Sequence, residues 1–112
     1  MQSFLAIFLS VLSLAISVRA DLHPDCVCNN GGTYIWRMTT NACTVYNDAG
    51  YQWGGSAYNT DSGRCVANEG AQLGGNEWEA ACKQVASSGF ACVSGVGTCF
   101  ANPDDVRGDC AA

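Results

Sequence analysis

Few residues in this chain are of a type that could do acid–base chemistry. His23 is the single histidine. It stands beside Pro24 in a segment, Asp21 to Asp25, expected to be mobile, whereas a general base must be held within hydrogen-bond reach of the proton it takes. A Ser-His-Asp or Cys-His arrangement meets the same obstacle. A two-histidine ribonuclease site cannot be built from one histidine. Paired carboxylates occur at Glu77 with Glu79 and at Asp104 with Asp105. The first pair, two apart on a helix, points to different sides and fits a helix start, where the dipole favours negative charge. The second reads as a solvated loop. A two-carboxylate glycosidase site usually needs a longer scaffold with a sugar cleft. No enzymatic activity and no cofactor are expected, so no catalytic residue is assigned.

The cysteines are the other reactive set: Cys26, Cys28, Cys43, Cys65, Cys82, Cys92, Cys99 and Cys110. Cys-x-Cys can bind zinc, but zinc sites typically use two pairs at matched spacing. No second pair follows, so no metal is expected and all eight are assigned to disulfides. Their pairing stays open. Cys26 and Cys28 are too close to pair with each other, so each must reach a distant partner, and on a strand both point to the same face. Asn59, Asp61 and Gly63 resemble part of a calcium loop without its acidic last ligand, and read as a turn. Arg107-Gly108-Asp109 spells the integrin tripeptide, but in a tail with no hairpin-tip signature it is a weak motif.

Binding chemistry is better represented. Tyr34, Trp36, Tyr51, Trp53 and Tyr58 crowd one stretch. If Tyr51 to Tyr58 is a strand, Tyr51 and Trp53 share one face and Tyr58 the other. Facing water, Tyr51, Trp53 and Tyr58 would form a binding surface able to stack on a sugar ring or anchor a protein interface. Burial in the core is the alternative favoured for Tyr51 and Trp53.

Composition narrows the class. The chain has 112 residues, with 5 Lys and Arg against 10 Asp and Glu. Residues 1–20 hold an apolar run ending in Val18-Arg19-Ala20, small at the positions a signal peptidase reads, so a signal peptide over 1–20 and a single cysteine-rich secreted domain over 21–112 are expected. Without Arg19 the remaining four bases face ten acids, a net charge of −6. Such a chain lacks the basic face that nucleic acid requires. Nothing else in the sequence is long and apolar enough for a membrane anchor. A secreted, extracellular monomer with no nucleic-acid or membrane partner is expected.

The elements that must carry these residues can be read from periodicity. Cys26 to Asn29 reads as a strand ending in the turn Asn29-Asn30-Gly31-Gly32. Met38, Ala42, Val45, Tyr46 and Ala49 have helical spacing, with Thr39 or Thr40 as N-cap and Gly50 as stop. Strands Tyr51 to Tyr58 and Arg64 to Asn68 form a hairpin over the turn Asn59 to Gly63. Asn76 with Glu79 reads as a capping box opening a helix to Ser87, with Trp78, Ala81, Cys82 and Val85 on one face and Gly89 at its end. Phe90 to Val93 and Thr98 to Ala101 are strand candidates, followed by a polar tail tied back by Cys110. The result is α+β: a small disulfide-stabilised antiparallel sheet with two helices packed on one face, in a split βαβ-like order. Cys43 and Cys82, on the inward helix faces, would each staple a helix to the sheet or its neighbour. A domain this small buries too little surface to rely on its core alone.

Cys26-Val27-Cys28-Asn29, then Thr39-Thr40-Asn41-Ala42-Cys43, then Trp78-Glu79-Ala80-Ala81-Cys82 make a pattern that resembles small secreted cysteine-rich proteins of filamentous ascomycete fungi. Thr44 and Lys83 stand where many of those proteins have a second cysteine. The order of elements is also similar to the fold of the virally encoded killer toxins of smut fungi. The resemblance implies a fungal effector-like virulence protein that binds a host target, a host protein or a cell-wall glycan, without catalysis. The alternatives are a carbohydrate or cell-wall binding module using exposed aromatics, and a secreted toxin or antimicrobial protein.

Overall fold

The strand carrying Cys26 and Cys28 organises the molecule. The computed structural model describes residues 21–112; the leader expected over 1–20 lies outside the described residues. Strand β1 (Leu22–His23) precedes β2 (Asp25–Asn30), β3 (Thr33–Tyr34), α1 (Trp36–Asp48), β4 (Ser56–Asn59) and β5 (Arg64–Ala67). Then come β6 (Leu73–Gly74), α2 (Gly75–Ser88), β7 (Phe90–Ala91), β8 (Thr98–Cys99), a short 3-10 turn (Pro103–Asp105) and β9 (Val106–Cys110). β2 lies at the centre of an antiparallel sheet. β9 runs along one edge from Cys26 opposite Cys110 to Asn30 opposite Val106. On the other edge β5 pairs with the first half of β2, β3 pairs with the second half, and β4 adds outside β5.

The cysteines explain why both helices lie on one face. Cys26 and Cys28 are two apart on β2, and Cys65 is the cross-strand partner of Cys26, so all three point the same way. Cys28 bonds to Cys82 of α2, and Cys65 bonds to Cys43 of α1. Cys26 closes onto Cys110 at the end of β9, and Cys92 onto Cys99 across the β7–β8 ribbon. Between helices and sheet sit Trp78, Tyr46, Met38, Leu73, Val85 and Val106, all fully buried. The Trp78 indole N–H donates to Val27 O at 2.8 Å, which removes the cost of burying that donor. The expected α+β fold with two helices and an antiparallel sheet is the observed one.

Several boundaries differ from expectation, each for a tertiary reason. α1 opens at Trp36, not after Thr39 or Thr40, and its N-cap Ile35 has no side-chain cap bond. Thr39 is buried inside the helix; its hydroxyl accepts from Cys28 N–H and donates to Ile35 O, tying α1 to β2. Gly50 does follow the helix end. α2 opens at Gly75, so Asn76 and Glu79 form no capping box. Gly74 N–H instead donates to the Tyr46 hydroxyl, and Glu79 accepts from Gly108 N–H on β9. The expected strand Tyr51 to Tyr58 is a strand only from Ser56. Before it the chain turns, because the Asn47 side chain of α1 captures Ser56 at its N–H, its carbonyl and its hydroxyl.

The last strand of the sheet was expected within 90–101 and is found in the polar tail. Val106, Gly108 and Cys110 turn inward while Arg107 and Asp109 face water, the period-2 pattern of a half-buried strand. Residues 90–99 form only a separate two-stranded ribbon. The segment expected to be mobile at Asp21 to Asp25 is held: β1 pairs with β6. Among the described residues no helix is long and apolar enough to cross a membrane.

Candidate functional site

One exposed concavity gathers aromatic and polar side chains from four consecutive parts of the sheet–helix junction. Tyr34 ends β3, Trp36 opens α1, Tyr58 lies on β4, and Thr60, Asp61, Ser62 and Gly63 form the β4–β5 turn; together they line a groove of about 420 Å³. Tyr34 is 42% exposed and Trp36 52%, unusual for aromatic side chains in so small a domain. The groove exists because β3 and β5 abut the same edge of β2. That register carries Tyr34 to the β4–β5 turn, where its hydroxyl donates to Gly63 O. Gly63 itself has φ +72°, and a Cβ there would fall 2.5 Å from the Tyr34 oxygen. The turn therefore needs a glycine both for its backbone and for the phenol beside it.

Burial favours the neutral form of the Tyr34 phenol. Its pKa is pushed up to about 12 by burial of the hydroxyl and then by the hydrogen bond and charge of Tyr58, with Arg64 opposing. Arg64 is itself ion-paired to Asp25. The Arg37 guanidinium lies 5.4 Å from the centre of the Trp36 ring, so one face of the indole is supported while much of it stays open to solvent. The turn is built as expected for Asn59 to Gly63: Asn59 accepts from Ser62 N–H with its side chain and from Gly63 N–H with its carbonyl.

Of the three aromatics singled out as a binding surface, the structure separates two from the third. Tyr51 and Trp53 stack on each other at 5.7 Å, and Tyr51 packs against buried Tyr46 at 4.9 Å. Both are half-buried, sitting in the turn before β4 and not on a strand. Only Tyr58 reaches the groove. Its companions Tyr34 and Trp36 escape the periodicity argument for a physical reason. The apolar face of α1 runs through Met38, Ala42 and Tyr46, and Trp36, two residues before Met38, points away from it. An aromatic off the apolar face of a helix is the signal that would have found it.

The acid–base residues are brought together in a different place, with structural partners. Asp21, His23, Asn76, Glu79 and Gly108 surround a cleft of about 200 Å³. His23 is not mobile: Nδ1 bonds Ala111 O at 2.7 Å, and Nε2 lies 3.3 Å from Asp21. Glu79 is occupied by Gly108 N–H, and the cysteine on the rim, Cys110, is in a disulfide. These groups tie the two ends of the domain together. Glu77 and Asp48 line another cleft, about 330 Å³, between the helices with Tyr46 and Tyr51. One Glu77 oxygen is buried there without a hydrogen-bond partner. Burial raises the pKa of Tyr46, against the opposing effect of Gly74 N–H. Asp104 and Asp105 are exposed in the 3-10 turn.

Arg107-Gly108-Asp109 sits mid-strand in β9, laddered to β2, and does not cap a loop. Its glycine has a packing role: a Cβ at Gly108 would meet Trp78 Cδ1 at 2.7 Å and the Glu79 backbone at 3.1 Å. All eight cysteines are paired, which is consistent with an oxidising compartment. Among the described residues no group of three or more His, Cys, Asp or Glu could hold a metal ion. No protein-family model, curated protein or solved structure matches the chain.

Proposed function

We propose that this is a secreted, effector-like protein that acts by binding a host target and does no catalysis. The observation that carries the reading is the Tyr34–Trp36–Tyr58 face. Two of its aromatics are largely exposed, and one is locked by a hydrogen bond to a neighbouring turn. Ordered, exposed aromatic side chains lose little entropy on binding and are the usual anchors of recognition surfaces. Four disulfides brace the scaffold that presents them, which suits a protein working outside the cell that makes it. The leader pattern at 1–20, the cysteine density and the likeness to secreted fungal cysteine-rich proteins support the same reading.

The test is retention on candidate host tissue. Fluorescently labelled, oxidised protein is expected to be retained, and Trp36→Ala to reduce retention severalfold while leaving the thermal midpoint nearly unchanged. Equal retention of wild type and Trp36→Ala would remove this face from the mechanism.

A further inference from the structure

The geometry points to a neutral pyranose oligosaccharide with equatorial substituents as the ligand of the groove, an inference that rests on the reading of the Tyr34–Trp36–Tyr58 face as the recognition surface. Size is the first argument. A groove of about 420 Å³ is within the ~300–1,000 Å³ range of small-ligand sites. A volume of that size has room for a few sugar rings.

The lining is the second argument. A pyranose with equatorial substituents has a flat face of C–H bonds and a rim of hydroxyls. Tyr34, Trp36 and Tyr58 offer aromatic faces for the first. Thr60, Asp61 and Ser62, all exposed on the facing turn, offer hydroxyl and carboxylate oxygens for the second. Hydrogen bonds from sugar hydroxyls to an ionised carboxylate are the stronger kind, and Asp61 is the one acid in the lining.

Charge is the third argument, and it selects among sugars. The lining contains no Lys or Arg. Of the nearby cations, Arg64 is ion-paired to Asp25 and Arg37 lies against the Trp36 ring. Residues 21–112 carry four bases against ten acids, net −6. A polyanion such as a pectate would face Asp61 and this net charge, offset nearby by the Arg37 guanidinium alone. A neutral glycan would not. Chitin-type and cellulose-type chains share the needed chemistry, and the experiment separates them.

Isothermal titration of the oxidised protein, expressed as the full chain through a secretory route, would use chitohexaose, cellohexaose and polygalacturonate. Binding to at least one neutral hexaose and none to polygalacturonate is expected. Trp36→Ala should weaken binding about tenfold or more. Tyr34→Phe, which keeps the ring and loses the bond to Gly63, should weaken it less. Phe100→Ala, removing an aromatic that is 63% exposed elsewhere, should leave it unchanged. Binding to neither hexaose, tighter binding to polygalacturonate, or wild-type affinity in Trp36→Ala would each overturn the assignment. The tissue assay keeps the two claims apart. If Trp36→Ala loses tissue retention while neither hexaose binds, the recognition face stands and the glycan falls. If Trp36→Ala keeps tissue retention, the face falls with it.

Discussion

Removing the Cys26–Cys110 disulfide should destabilise the domain more than removing Cys92–Cys99, by an amount the connectivity sets. The perturbation is Cys26→Ala with Cys110→Ala, against Cys92→Ala with Cys99→Ala. Taken alone, a closure spanning 84 residues would contribute about 4.6 kcal/mol through the entropy of the unfolded chain. The other bridges already shorten that loop. Crossing Cys28–Cys82 and Cys92–Cys99 leaves an effective loop of about 23 residues, and the contribution falls to about 3.4 kcal/mol. Cys92–Cys99 spans 7 residues and contributes about 2.4 kcal/mol. Packing widens the gap. Cys26 is fully buried between helix and sheet, whereas Cys92 and Cys99 are only half-buried in the ribbon. The total difference is therefore about 1–2 kcal/mol, or about 4–16 °C in midpoint for a domain of this size. Guanidinium unfolding of both variants under non-reducing conditions measures it, after peptide mapping has verified the remaining bridges. An equal or larger loss in the Cys92/Cys99 variant would refute the pairing or the loop-closure reasoning.

Other consequences are narrower. Gly108→Ala should cost about 1–3 kcal/mol in chemical denaturation, because the new Cβ would enter the space of Trp78 and the Glu79 backbone. Asn47→Ala should cost about 1–2 kcal/mol, and hydrogen exchange should rise at Ser56, whose N–H, carbonyl and hydroxyl all bond the Asn47 side chain. Tyr34 should ionise after an ordinary phenol. Its folded pKa lies above the unfolded value, so its contribution is complete below about pH 10 and is lost as pH rises towards about 12. Phenolate absorbance of wild type against Tyr34→Phe reads this, and a Tyr34 transition at the ordinary value would show that the hydroxyl is not shielded from water beside Tyr58.

The elements themselves were largely legible. Trp78, Ala81, Cys82 and Val85 share one face of a helix because their spacing follows the helical period, and all four are buried. Helix starts were less legible, since Thr39 and Glu79 have cap chemistry yet spend it elsewhere. Thr39 bonds the Cys28 backbone and Glu79 the Gly108 backbone, partners 11 and 29 residues away that no local rule can see. The final strand was written in the alternation Val106-Arg107-Gly108-Asp109-Cys110. Polar residues and an integrin-like tripeptide hid it, and only the ladder with β2 makes its backbone a strand.

By itself the sequence determined the covalent frame: eight cysteines in a short acidic chain, two amphipathic helices, and strands between them. These follow from composition and from contacts within one turn of helix or one strand, which act at short range. Only the tertiary structure decided which cysteines meet and which aromatics face water. Tyr51 and Trp53 were as aromatic on paper as Tyr34 and Trp36. They differ because β3 and β5 share one edge of β2, which brings Tyr34 to the Gly63 turn and leaves Tyr51 against Tyr46. Exposure belongs to the packed whole, and a linear pattern specifies it only where a single element forms both walls.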